Sequence, residues 1–77
     1  MSVKERVAAI IKEVMGVDTH TIDKKKKLNT ITEWDSFNNL MLISKMQEEF
    51  GIEFTATEIE RTLTVNDIFS LVERKLK

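Results

Sequence analysis

A serine hydroxyl at the start of a helix has two chemical uses, and Ser36 sits at such a start. It can accept a hydrogen bond from an unpaired backbone N–H and so cap the helix, a use open equally to the neighbouring Asp35. It can also carry a phosphate ester, because the free N–H groups and the dipole of a helix N-terminus favour an anion. On the Asp35-Ser36 dipeptide alone the cap is the commoner use. The stretch Glu33-Trp34-Asp35-Ser36-Phe37 leaves both open.

Other groupings offer less. Asp18, His20 and Asp23 could be drawn as metal ligands, but three residues in a loop are a weak pattern, and no metal site is expected. Lys24-Lys25-Lys26-Lys27 is the one basic run, of a kind more often solvated loop than binding site. Glu48 and Glu49 are adjacent and so point about 100° apart on a helix, which suits a solvated face better than an acid–base pair. The single histidine has no nucleophile near it in sequence, and neither a Gly-rich phosphate loop nor a paired metal motif occurs. No catalytic residue is expected, and the chain is not expected to be an enzyme by itself.

The 77 residues suffice for one domain, 1–77, with one small core. There is no cysteine, hence no disulfide and no thiol, so any thioester chemistry needs a borrowed one. A net charge of −1 gives no case for nucleic acid. The charged start reads as helical rather than as a secretory signal, and no apolar run is long enough to span a bilayer. A soluble cytoplasmic monomer is the expectation.

The elements that must position Ser36 are helical. Ser2 and Glu5 fit a capping box, and Val3, Val7, Ile10, Ile11 and Val14 follow at helical spacing up to Gly16, predicting a first helix over 3–15. Residues 16–35 show no period. Ile22, Leu28 and Ile31 read as pegs that pin an ordered loop to the core, with Thr19, Thr21, Asp23 and Asn29 supplying turns. A second helix spans 36–50 and stops at Gly51. Ile52-Glu53-Phe54 is an extended connector with both apolar residues buried. Thr55 or Thr57 caps a short third helix over 57–61, with Ile59 inward. Thr64 and Asp67 fit a box opening the last helix, 65–76, whose apolar face is Val65, Ile68, Phe69, Val72 and Leu76. Lys75 and Lys77 suit the dipole at its end. The fold class is all-α: a small bundle of three main helices and one short one, with a long loop between the first two.

The second helix has more apolar residues than one buried face can use. Advancing about 100° per residue puts Leu42, Ile43, Met46 and Phe50 on one side. Phe37 and Met41 fall opposite, with Ser44 and Glu48, and Leu40 lies at their edge. One stripe should meet the core, and the other something outside the chain. Without further chemistry, that second stripe describes a helical interaction module with no prosthetic group.

Over essentially its whole length the chain resembles an acyl carrier protein. Asp35-Ser36-Phe37 is similar to the family's Asp-Ser-Leu, and Glu48-Glu49-Phe50-Gly51-Ile52-Glu53 follows at the right distance. The resemblance implies that Ser36 receives 4′-phosphopantetheine from coenzyme A through a phosphopantetheinyl transferase. It implies that the arm's thiol holds acyl groups as thioesters, and that acyl-activating or acyl-transferring enzymes read the second helix, here through Phe37, Leu40, Met41 and Glu48. Phe37 replaces the usual Leu, and Asn38, Asn39, Met41 and Gln47 stand where housekeeping carriers often have acids. That pattern is similar to a specialised carrier for a secondary metabolite, modified lipid or surface polysaccharide. The Gly-Gly of peptidyl carriers is absent.

Overall fold

The computed structural model describes residues 2–76. Helix α1 (Val3–Met15) starts where Ser2 Oγ accepts the Glu5 N–H at 3.1 Å. The reciprocal half of the expected capping box is not formed among the described residues. Helix α2 (Ser36–Phe50) has the predicted bounds. Both α1 and α2 stop at a glycine in the left-handed conformation, Gly16 at φ 71° and Gly51 at φ 66°, where a side chain would be strained.

Helix α3 (Ala56–Arg61) begins one residue before the expected start, because Thr55 is its cap and Glu58 completes the box. Helix α4 (Val65–Lys75) opens on the matching Thr64–Asp67 box. It ends one residue early. Leu76 is 39 % exposed and does not extend the buried face as the spacing predicts. Lys75 reaches Glu58 at 2.8 Å and lies 5.6 Å from the centre of the Phe54 ring. Six residues are too few to hold a helix in water, so this tie and the capping box keep α3 on the bundle. Lys77 lies outside the described residues.

The core is assembled around α1, which packs against both α2 and α4. Val7, Ile10, Ile11 and Met15 meet Leu42 and Met46 of α2 and Val65, Ile68, Phe69 and Val72 of α4. Ile43 and Phe50, from the expected buried side of α2, are half-buried, and the Arg6 guanidinium sits 4.5 Å from the centre of the Phe50 ring. Ile52 and Phe54 are also half-buried rather than buried. Gln47 Oε1 accepts the Phe54 N–H at 3.0 Å and folds the connector back on α2.

The long loop is ordered by the same accounting of backbone groups. Leu28 and Ile31 are buried and Ile22 is half-buried, as pegs should be. Val17, Thr19 and Trp34 are buried as well. Asp18 accepts the His20 N–H and Asp23 accepts the Lys25 N–H, each at 2.9 Å, so both carboxylates form turns. No three His, Cys, Asp or Glu side chains gather for a metal among the described residues. A 3-10 turn runs from Leu28 to Thr30. The Leu28 N–H donates to the Leu63 carbonyl at 2.9 Å, and the Asn66 N–H to the Lys24 carbonyl at 3.1 Å, which stitches the loop to the entry of α4. No helix is long and apolar enough to cross a membrane among the described residues.

Candidate functional site

The start of α2 settles which residue caps it. Asp35 is extended, at φ −89° and ψ 175°, and its Oδ1 accepts the Asn38 N–H at 2.8 Å. Asp35 is therefore the cap, and Ser36 is the first helical residue. The expectation that Ser36 caps the helix is corrected by one position. The physical reason is geometric: Asp35 is the extended residue whose carboxylate reaches the Asn38 N–H, while Ser36 is already helical. The consequence is chemical. The exposed Ser36 hydroxyl makes no hydrogen bond among the described residues, and stands free beside the helix N-terminus.

Two asparagines tie this corner together. Asn38 Nδ2 donates to the Glu33 carbonyl at 2.9 Å, and Asn39 Oδ1 accepts from Trp34 Nε1 at 3.0 Å. The indole is buried, so its one donor needs that partner. Asn38 and Asn39 thus fasten residues 33–35 to the first turn of α2. In the sequence they stand out only as neutral residues where carriers often have acids. Their positions three and four residues beyond Asp35 were the available signal.

Along α2 the second stripe is where the period places it. Phe37 is 70 %, Leu40 64 % and Met41 50 % exposed, and Glu48 is exposed at the far end. Glu49 is drawn aside, 3.7 Å from Arg6, and Lys45 lies 3.9 Å from Glu13. Leu63, 58 % exposed, is a further outward apolar residue that no periodicity signalled, since it lies between helices.

Ser36 also forms part of the wall of a cleft of about 310 Å³ between the start of α2, the 3-10 turn and the segment before α4. Asn39 and Thr62 line both this cleft and a small, mainly apolar seam of about 20 Å³ between α2, α3 and α4. The seam holds Leu42, Met46, Ile59 and Leu71, and has room for little more than one water.

Comparison with known proteins decides the family. The family described as a phosphopantetheine attachment site matches residues 5–72. An acyl carrier protein of Thermotoga maritima is 34% identical over 71 residues, covering 92% of this chain and 88% of the relative. The chain belongs to the acyl carrier protein family. A second acyl carrier protein, from Solidesulfovibrio magneticus, is 35% identical over 97% of this chain and 96% of its own. A third, from Thermosynechococcus vestitus, is 29% identical over 94% of this chain. The family's group is 4′-phosphopantetheine, and the corner at Ser36 fits it: a free exposed hydroxyl, a helix N-terminus for the phosphodiester, and an adjoining cleft. Asp35, the nearest carboxylate in sequence, is turned onto the α2 backbone.

Proposed function

We propose that the whole chain is one carrier domain whose Ser36 holds 4′-phosphopantetheine, and that it serves enzymes as their acyl-bearing partner without catalysing a reaction itself. The observation that carries this reading is the free Ser36 hydroxyl, left uncommitted because Asp35 does the capping. In the loading step Ser36 Oγ attacks the phosphorus of coenzyme A that bears pantetheine. The phosphoanhydride bond breaks, adenosine 3′,5′-bisphosphate leaves, and the serine proton passes to a base on the transferase. The attached group supplies the thiol that this cysteine-free chain lacks, and so holds acyl groups as thioesters. The protein's own contribution is to place the hydroxyl, favour the phosphodiester at the α2 N-terminus, and present α2 to enzymes.

Phe37, Leu40, Met41 and Glu48 form the face that partner enzymes read. Apolar contact dominates it, since the carboxylates on α2 are only Glu48 and Glu49, and Glu49 already faces Arg6. Charge steers encounter and is screened by salt, whereas apolar burial is not. These features support a specialised carrier, for fatty-acid-like, modified-lipid, polyketide or surface-polysaccharide synthesis, and the cytoplasm is its proposed location. The test is intact mass after incubation with coenzyme A and a broad-specificity transferase. One added phosphopantetheine is expected in the wild type and none in Ser36→Ala. An unmodified wild type across several transferases would instead support the bare interaction module, which the exposed stripe alone also fits.

A further inference from the structure

We infer that the cleft beside Ser36 is a docking site for the pantetheine arm, with Lys27 as the cation that meets its phosphodiester; this rests on Ser36 being the attachment residue. The observation is a juxtaposition. Lys27, the last of the four-lysine run, and Ser36 are walls of the same cleft, although nine positions separate them in sequence. None of the four lysines forms an ion pair among the described residues.

Lys27 is held there by backbone bonds. Its carbonyl accepts the Thr30 N–H at 3.0 Å and the Thr30 hydroxyl, and it forms an antiparallel bridge with Thr64. The next residue donates to the Leu63 carbonyl. Lys27 therefore stands at the cleft wall on a fixed backbone, and its ammonium makes no ion pair among the described residues. A phosphodiester is a permanent anion at neutral pH, and a lysine suits it as a point charge.

The remaining walls match the rest of the arm. Leu28 and Leu63 offer apolar surface to its methyl and methylene groups, and Asn29 and Thr62 offer hydrogen-bonding groups to its two amides. The volume, about 310 Å³, lies at the small end of the ~300–1,000 Å³ range of ligand sites. Tethering at the rim makes binding intramolecular, so weak contacts suffice to populate the docked arm. Docking this shallow leaves the arm free to exchange into an enzyme.

The test compares apo and holo protein by heteronuclear NMR, after mass has confirmed loading. In the holo wild type the amides of Leu28, Asn29, Thr62 and Leu63 should shift, and Overhauser contacts should join the arm's geminal methyls to the Leu28 and Leu63 methyls. The emission of Trp34, the only tryptophan, should change in step, since its ring also lines the cleft. In holo Lys27→Glu the shifts should return most of the way to the apo positions, and in Lys27→Arg they should persist. Holo protein whose changes stop at Asp35–Asn38 would overturn the docking site. Contacts that survive unchanged in Lys27→Glu would overturn the role of Lys27. Absence of any mass increase would overturn the carrier reading, and the docking site with it.

Discussion

Helices α2 and α4 make the same kind of element from opposite allotments of apolar surface. In α4 Val65, Ile68, Phe69, Leu71 and Val72 are all buried, and its outward positions are mainly polar. In α2, four residues longer, only Leu42 and Met46 are buried, while Phe37, Leu40 and Met41 are at least half exposed. Folding accounts for the sequence of α4. It does not account for the outer side of α2, where three large apolar residues stand in water at no benefit to the core. That surplus begins beside Ser36, which supports the proposal that this half of the molecule serves other molecules.

The buried side of α2 carries the largest expected effect. Leu42→Ala should cost about 2–5 kcal/mol, the range for emptying a core leucine site, and a large share of what so small a domain has. A thermal melt little changed from the wild type would show α2 to be rotated. The capping assignment comes next. Asp35→Ala should cost about 0.5–2 kcal/mol, whereas Ser36→Ala should leave the melt within ~0.5 kcal/mol, because the first helical position does not cap. Equal losses at the two positions would return the cap to a shared role.

A smaller effect sharpens the outer face. Met41→Ala should change stability by no more than ~0.5 kcal/mol. Met41→Glu should fold equally well, yet weaken acyl loading by a cognate enzyme across a salt series. Efficient loading of the wild type by general fatty-acid enzymes, abolished steeply by salt, would contradict an apolar face. The smallest effect lies at the tie between α3 and α4. The Lys75 ammonium, bonded to the Glu58 carboxylate, holds its pKa below 4.5, helped by the Thr55 N–H. A lowered folded pKa gives stability that is present above 4.5 and is lost as pH falls through the folded value. The gap in melting temperature between the wild type and Lys75→Met should therefore close on acidification below that point. A gap that widened would contradict the pairing.

Local signals carried the sequence reading far along the helices. Gly16, Gly51, Thr55 and Thr64 mark ends through bonds to neighbours within a few residues, which is why boundaries agree to within one residue. The two sides of α2 follow from its period alone. What was not legible depends on distant partners. Burial of Val17 and Trp34 has no period to announce it, the half-burial of Phe50 and Phe54 depends on Arg6 and Lys75, and Lys27 reaches the Ser36 cleft only because the loop is stitched to Leu63, Thr64 and Asn66. The cap itself was ambiguous because Asp and Ser are interchangeable there, and only the bond to the Asn38 N–H separates them.

Whether the free hydroxyl at the start of α2 is the attachment point is read directly by fragmentation mass spectrometry. Trypsin releases residues 28–45 as one peptide, which contains two serines, Ser36 and Ser44. After loading from coenzyme A, fragment ions should place the phosphopantetheine on Ser36 alone. Its appearance on Ser44, on Ser2 or Ser70 elsewhere in the chain, or on no residue would contradict the account.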